Sequence, residues 1–456
     1  MKSELILLGG AEEIGANSTY LNLGGTGLLI DAGLHPRKRD TDAFPHSELL
    51  LHKPTDALLL THAHTDHLGG LPYVLKHHPH LRIIATPPTR DLAEIMLRDG
   101  AKVLKSDVSR NFPEETLSLF SKEVLKRISL IMEAQRYGET FEFQGHAGQE
   151  LLNITFHDAG HILGSAGIEI SFKNMSIFHT GDVQFRSQAI TKAAAFPRRH
   201  FDVLITEATN GLDDSEQDRD AEIKRLAGFI NTISNANGSV LIPAFSLGKT
   251  QEILRILWGL MRSGKIPHMP IFTGGLSRQI SNLYDRYCYA VPRVEPGFEV
   301  ADIPQETINY EELLNERFFK TPSIVVASSG MLNSGTTSFR LALEWFVKPN
   351  FGIAFIGYQD PDSPGHALKT SRKKEKFTMA GRDFKRACDV ESFRFSAHAD
   401  RPSLVDFITH ARPKQLFIMH GEEDACYALA GEITDRLPQT KIIVPKLVKR
   451  YELVSG

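Results

Sequence analysis

The chain has 456 residues, of which 41% are hydrophobic and 23% are charged, and its formal net charge is −3 at pH 7. These values are typical of a soluble globular protein with an ample core, and the length suggests about three domain-sized units. Because positive and negative charges nearly balance, the net charge of the molecule cannot by itself attract a polyanionic partner. A nucleic acid would have to be bound by local basic patches.

Cysteine usage and the N-terminus indicate the compartment. Cys288, Cys388 and Cys426 are far apart, and none lies in a Cys-x-x-Cys pair. Their odd number and spacing argue against a disulfide framework and favour a reducing environment. The first apolar run ends at Gly9-Gly10, which is too short for a secretion signal, and no stretch approaches the length of a membrane span. We therefore expect a cytoplasmic protein that does not associate with a membrane.

Short strands open the chain. Apolar runs separated by glycine-rich turns cover Leu5 to Leu8, Ser18 to Leu23 and Gly27 to Ile30, which predicts a β-meander. Asp31 follows the third run. Considered alone, an aspartate at this position is most often a turn former.

Three histidines and an aspartate lie within six positions directly after Asp56 to Leu60, an apolar segment short enough to be a buried strand. They are His62, His64, Asp66 and His67. In an extended turn, residues two apart face the same way, so the first two histidines can bind one ion while the other pair reaches a second. The pattern predicts a two-metal site at the end of a strand, where parallel α/β sheets carry their chemistry.

The next segment has the period of a helix. Three further histidines follow it without a preceding strand, and we interpret them as a solvated helix end and not as ligands (His77, His78 and His80). A strand is predicted over Arg82 to Thr86. A helix is predicted over Thr89 to Leu97, with Thr89 as its N-cap.

Three later strands end in residues that bind metals or transfer protons. The strands are predicted over Leu151 to Phe156, Met175 to Phe178 and Val203 to Thr206, and they are followed by His161, Asp182 and Glu207. Turn chemistry alone does not require this recurrence. It therefore indicates a functional site at the strand ends and makes Asp31 a candidate as well.

Taken in order, these residues resemble the motifs of a known superfamily. Asp31, the cluster from His62 to His67, His161 and Asp182 resemble the motifs of metallo-β-lactamase-fold hydrolases. Three further motifs resemble those of the β-CASP nucleases, which include ribonuclease J and the cleavage subunit of the pre-mRNA 3′-end machinery: Glu207 in Thr206-Glu207-Ala208-Thr209, His398 in Phe395-Ser396-Ala397-His398-Ala399-Asp400, and His420 in Met419-His420-Gly421-Glu422. We expect no added terminal domain, so the chain resembles the compact bacterial ribonucleases of this branch more than ribonuclease J.

The resemblance implies an α/β fold, a metallo-β-lactamase αββα sandwich with an inserted β-CASP α/β domain. We expect the first part of the sandwich at residues 1–207, the β-CASP domain at 208–390 and the returning segment of the sandwich at 391–456. An acidic stretch over residues 213–220 supports a linker and a helix start near the first boundary. Beyond it, alternating strands and helices indicate a parallel sheet, with strands over Ser239 to Ile242, Pro270 to Thr273, Ser323 to Ala327 and Gly352 to Gly357.

Two features of the middle region are candidates for binding phosphate or the RNA backbone. Ser328 and Ser329 begin a loop at a strand end, where backbone N–H groups can bind anions, although an ordinary strand-to-helix turn is the alternative. Lys373 and Lys374 lie at the centre of a basic run from residue 369 to 386, for which a solvated face is the alternative. A Gly-Thr-x-Gly-Arg loop that is usual in relatives is missing after Gln359, so phosphate binding from that loop is in doubt.

The resemblance also implies the roles of the site residues. One metal is expected on His62, His64 and His161 and a second on Asp66, His67 and His420, with Asp182 bridging both. Imidazole and carboxylate ligands without thiolate suit Zn²⁺, so we expect two Zn²⁺ per chain. The same ligand types would also accept Mn²⁺. Asp31 is expected behind the ligands as an orienting group. His398 is expected to be the proton donor, with Glu207 beside it.

A two-metal site activates water and stabilises charge on a phosphate, so we expect hydrolysis of single-stranded RNA to a 5′-phosphate and a 3′-hydroxyl. A DNA nuclease of the same branch is the main alternative. A small-molecule hydrolase would have no use for the insertion, and a metal-free RNA-binding homologue would be expected to lack ligands that are all present here. The sequence does not decide whether cleavage is endonucleolytic or 5′-exonucleolytic. It also does not decide whether the protein is a monomer or a homodimer.

Overall fold

The computed structural model describes residues 3–106, 111–216, 218–308, 321–379 and 381–454. The chain forms two compact units: unit 1 comprises Met1–Ser187, Ala193–Glu216 and His398–Gly456, and unit 2 comprises Gln188–Lys192 and Gln217–Ala397. The domain boundaries expected from the sequence stay predictions. Across the described ranges, every helix is too short or too polar to span a bilayer.

Unit 1 contains two seven-stranded sheets within the described residues. The strands of sheet 1 are β1 (Glu4–Gly9), β2 (Ser18–Leu23), β3 (Thr26–Ile30), β4 (Ala57–Leu59), β5 (Arg82–Ala85), β6 (Glu133–Ala134) and β22 (Arg450–Glu452), in the order β22-β1-β2-β3-β4-β5-β6. The strands of sheet 2 are β7 (Thr140–Phe143), β8 (Leu152–Asp158), β9 (Ala166–Phe172), β10 (Met175–His179), β11 (Val203–Glu207), β20 (Gln415–Met419) and β21 (Lys441–Ile443), in the order β21-β20-β11-β10-β9-β8-β7. The predicted N-terminal meander is confirmed, because β1, β2 and β3 pair in antiparallel succession.

The central strands of sheet 2 are buried on both faces. Val203 and Ile205 of β11 pack into a core shared with sheet 1, whereas the intervening Leu204 packs into a second core. Successive side chains of a strand point to opposite faces, so a continuous apolar run fills both cores. The helices of unit 1 are α1 (Thr65–Leu68), α2 (Leu71–His77), α3 (Pro87–Ser106), α4 (Glu114–Ser118), α5 (Lys122–Ile131), α11 (Arg401–Ala411) and α12 (Glu423–Arg436).

Two local predictions in unit 1 were wrong. The helix predicted from Thr89 begins at Pro87, and the Thr89 hydroxyl donates to the carbonyl of Gly164 (2.8 Å) instead of capping the helix. His78 is buried, and its Nε2 lies 2.9 Å from the carbonyl oxygen of Ser47. His78 is therefore buried by its contact with a residue 31 positions earlier in the chain, although the polar histidine run predicts a solvated helix end.

Unit 2 is built on a six-stranded sheet within the described residues. Its strands are β12 (Val240–Pro243), β13 (Ile271–Thr273), β14 (Glu306–Thr307), β15 (Ile324–Ala327), β16 (Gly352–Phe355) and β19 (Asp389–Ser392), and β17 (Lys376–Met379) and β18 (Arg382–Lys385) form a separate hairpin. The helices are α6 (Arg219–Asn235), α7 (Lys249–Arg262), α8 (Gly275–Arg286), α9 (Thr337–Trp345) and α10 (Pro364–Thr370). Neighbouring strands of the larger sheet pair in parallel, which confirms the predicted alternation of strands and helices. Asp218 caps α6 by accepting from the N–H of Ala221, so the acidic stretch does contain a helix start.

Candidate metal centre

The loops after the strands of unit 1 bring the predicted ligands into two groups. In each group, the candidate ligand atoms lie within 4.8 Å of one another. The first group is His62, His64, His161 and Asp182, and the second is Asp66, His67 and His420. His62 and His64 lie between β4 and α1, and Asp66 and His67 lie in α1 itself. The chain thus turns from strand to helix within the motif, which lets neighbouring side chains serve different groups.

Asp182 lies between the two groups. Its Oδ2 is 3.5 Å from Nε2 of His62 and 3.7 Å from Nε2 of His161. Its Oδ1 is 3.3 Å from Nε2 of His67 and 3.0 Å from Nδ1 of His420. Each carboxylate oxygen therefore faces a different group.

The donor atoms of the first group fit a cation. Nδ1 of His64 lies 3.1 Å from Nε2 of His62 and 3.0 Å from Nε2 of His161. Burial lowers the pKa of His62 and brings the pKa of His64 down to about 4, so both rings are neutral at pH 7 and offer lone pairs. Three converging imidazole nitrogens are close to the spacing of about 3.3 Å expected around a tetrahedral Zn²⁺ with Zn–N bonds of about 2.0 to 2.1 Å.

The second group attracts positive charge. Burial opposes protonation of His420, but the carboxylates of Asp182 and Asp66 outweigh it and raise the pKa of His420 to about 10. The pKa of His67 is likewise raised against burial by Asp182, Asp66 and Asp31. Because metal binding displaces protons from its ligands, a site that concentrates protons between carboxylates is also suited to a cation. The residues present therefore fit metal ions in both groups.

Asp31 lies behind the second group. Its Oδ2 is 2.7 Å from Nδ1 of His67 and accepts from the Thr61 hydroxyl at 2.7 Å, and its Oδ1 accepts from the Thr61 N–H at 2.7 Å. A carboxylate that is hydrogen-bonded to Nδ1 fixes the orientation of the His67 ring, so that Nε2 faces Asp182. Asp31 adopts a left-handed backbone conformation (φ 64°), which aspartate tolerates better than most residues.

A third group joins the predicted proton donor to a candidate metal ligand, Asp182. Nδ1 of His398 lies 2.9 Å from Oε2 of Glu207, and its Nε2 lies 3.9 Å from Oδ2 of Asp182. Burial lowers the pKa of His398, but the charges of Glu207 and Asp182 and the hydrogen bond with Glu207 outweigh it, so the net shift is upward. Glu207 is buried and also accepts from the N–H of Val183 at 2.6 Å.

The four predicted RNA-binding residues lie in unit 2 and belong to none of these groups. The Ser329 hydroxyl accepts from the N–H of Asn333 (2.9 Å), which anchors the loop after β15. Lys373 and Lys374 are both exposed, and Lys373 pairs with Asp389 at 2.7 Å. Within the same basic run, Arg386 is buried and donates to the carbonyl of Ser371, so Arg386, like Lys373, has a partner within unit 2.

Sequence reasoning missed several neutral side chains at the site. The Thr61 hydroxyl donates to Asp31, and the Thr209 hydroxyl lies 3.2 Å from Nδ1 of His420. Asn17 contributes an amide 3.1 Å from Nε2 of His67. Threonine and asparagine are common, so only their positions beside the charged motifs could have singled them out.

Three family descriptions match successive parts of the chain. They are "Metallo-beta-lactamase superfamily" over residues 11–221, "Beta-Casp domain" over 250–368, and "Zn-dependent metallo-hydrolase RNA specificity domain" over 383–445. The fold also resembles a crystal structure described as a protein of unknown function from Enterococcus faecalis V583, with a TM-score of 0.58 and 13% identity over 99% of this chain and 100% of that one.

Curated relatives match almost the whole chain. "Transcription termination factor FttA" of Pyrococcus horikoshii is 29% identical over 93% of this chain and 67% of its own length. "Cleavage and polyadenylation specificity factor 73" of Drosophila melanogaster is 28% identical over 91% of this chain but only 59% of its own length. "RNase J-like protein" of Methanocaldococcus jannaschii is 30% identical over 91% of both chains. The chain belongs to the β-CASP family of metallo-β-lactamase-fold nucleases.

Proposed function

We propose that the protein is a metal-dependent ribonuclease that hydrolyses phosphodiester bonds of single-stranded RNA and leaves a 5′-phosphate and a 3′-hydroxyl. The observation that carries the proposal is the division of the Asp182 carboxylate between two groups of ligands, with His398 beside it. The names of the relatives, which refer to cleavage and polyadenylation, transcription termination and RNase J, support RNA as the substrate class.

His62, His64 and His161 would hold one metal ion, Asp66, His67 and His420 would hold the other, and Asp182 would bind both. When bound, such ions supply an activated water and neutralise charge on the phosphate. Nitrogen and oxygen ligands without thiolate favour Zn²⁺ and leave Mn²⁺ open. Asp31 holds His67 in the orientation in which Nε2 faces Asp182.

His398 is proposed as the general acid for the leaving 3′-oxygen. Glu207 accepts from Nδ1, so the proton available for transfer is on Nε2, the nitrogen nearer to Asp182. Glu207 also favours the protonated ring by opposite charge. Donation from a positioned acid typically contributes about 10²- to 10⁴-fold to the rate of such a step.

The test begins with the metal content of purified protein, followed by parallel incubation with matched labelled RNA and DNA strands. We expect two ions per chain and faster cleavage of RNA, with 5′-phosphate ends on the products. In RNA-cutting relatives the last motif contains a histidine, which in this chain is His420, whereas DNA-cutting relatives commonly have a valine at that position. Comparable specificity constants on the two strands would favour a DNA nuclease or a nuclease of mixed specificity.

A second substrate isolates the proton donor. Replacing the leaving 3′-oxygen by sulfur gives a thiolate, which leaves without protonation. The sulfur substrate should therefore restore much of the rate that His398→Ala loses on the oxygen substrate. Equal losses on both substrates would remove His398 from the acid role.

A further inference from the structure

The peptide of His398 is held by two side-chain amides that have no part in metal binding or proton transfer as proposed above. Its carbonyl oxygen accepts from Nε2 of Gln184 at 2.9 Å and from Nδ2 of Asn210 at 3.2 Å. Asn210 also donates to the next carbonyl, that of Ala399, at 3.3 Å. A carbonyl oxygen has two lone pairs, so this acceptor can bind both amides at once.

Both amides come from loops that carry residues of the site. Gln184 follows Asp182 by two residues, and Asn210 follows Glu207 by three. The N–H of Ala399 donates to the carbonyl of Val183 at 2.7 Å, so the loop of Asp182 contacts the chain at His398 through its backbone as well. The segment with the proposed acid is thus tied to the loops that hold its two charged partners.

The orientation of the Gln184 amide is determined by its own contacts. Its Oε1 accepts from the N–H of Arg186 at 3.0 Å, which leaves Nε2 as the atom that faces the carbonyl of His398. Gln184 is buried, and its backbone N–H donates to Ala159 at 2.9 Å. A buried amide with both ends and its backbone bonded has little freedom to reorient.

These contacts complement the one that Glu207 makes. Glu207 restrains the ring of His398 at Nδ1, but the position of Nε2 also depends on the main chain from which the ring projects. Displacing a reacting group by about 1 Å can cost about 10²-fold in rate. We propose that Gln184 and Asn210 are positioning residues that fix the His398 peptide and thereby direct Nε2 toward the leaving oxygen. This inference rests on the proposed function of His398.

The test uses Gln184→Met and Asn210→Ala, each assayed at saturating concentrations of the oxygen and sulfur substrates. We expect kcat on the oxygen substrate to fall about 10-fold, which is less than the cost of about 10²-fold for a displacement of about 1 Å, because each variant keeps the other amide. The rate on the sulfur substrate, KM and the content of two metals should stay near wild type. The ratio of sulfur to oxygen rates should therefore rise about 10-fold in each variant.

This ratio separates positioning from stability, because loss of folded protein lowers both rates equally. Matched controls remove amides that make similar bonds away from these residues. Gln144 donates to the carbonyl of Gly148 at 2.9 Å, and Asn350 donates to the carbonyls of Ala236 and Asn237 at 3.4 and 3.2 Å. Gln144→Met and Asn350→Ala should leave the ratio unchanged.

Two sets of results overturn different claims. If His398→Ala is rescued by sulfur but the ratio stays at the wild-type value in Gln184→Met and Asn210→Ala, the two amides are not positioning residues. If the wild-type protein leaves RNA intact, or sulfur does not rescue His398→Ala, the proposed function fails first. The inference then falls with it.

Discussion

Asp182→Asn tests the proposed two-metal centre most directly, because the substitution removes one charge and keeps the shape of the side chain. The carboxylate oxygens lie 3.0 to 3.7 Å from nitrogens of four histidines that belong to both ligand groups. Removing one partner from a buried, paired set of charges costs about 3 to 5 kcal/mol. At about 1.4 kcal/mol for each power of ten, metal binding should weaken by about two to three and a half powers of ten.

The assay is titration of metal-stripped protein with Zn²⁺, followed by elemental analysis after dialysis and by RNA cleavage. Wild-type protein should retain two ions per chain. Asp182→Asn should lose affinity for both and show no cleavage. Asp202→Asn is a matched control, since Asp202 accepts from the N–H of Ser176 at 2.8 Å at the opposite end of β11 from Glu207. One ion or none in active wild-type protein, or an Asp182→Asn variant that still binds two ions tightly, would refute the bridging role.

Three further outcomes are expected. Glu207→Gln, which removes the charge beside His398, should slow cleavage of the oxygen substrate more than that of the sulfur substrate, and equal slowing would argue against a role in the proton step. Lys373→Glu combined with Lys374→Glu should raise KM more than it lowers kcat and should flatten the dependence of RNA affinity on salt, because fewer counterions are released; an unchanged salt slope would show that the basic run is only a solvated face. Burial raises the pKa of Asp158 from 3.8 to about 7, so the fold loses stability as pH rises between these values and the carboxyl ionises in the unfolded chain. Asp158→Asn should therefore resemble wild type in urea unfolding near pH 4 but be more stable at pH 8, by up to about 4 kcal/mol for three pKa units; an equal difference at both pH values would contradict this reasoning.

Much of unit 1 could be predicted because its signals are local. The apolar runs that form β1 to β5, β8, β10 and β11 lie within a few residues of their predicted ends, since burial on one or both faces constrains each position of a strand. The failures came from distant partners. Thr89 and His78 were assigned from neighbouring residues, whereas their hydrogen bonds go to Gly164 and Ser47.

Residue type and spacing were enough to predict metal chemistry at the site, because metal ligation depends on residue type and each motif keeps its spacing wherever the strands lie. His62, His64, Asp66 and His67 were therefore recognisable as candidate ligands before any fold was known. Folding alone brings together residues from loops that are far apart in the chain. It gave each oxygen of Asp182 a separate group of ligands, brought Glu207 to within hydrogen-bonding distance of a histidine 191 positions later, and turned the amides of Gln184 and Asn210 onto one carbonyl. Neutral amides carry no signature in a sequence, since what they do depends entirely on the group that folding brings within about 3 Å of them.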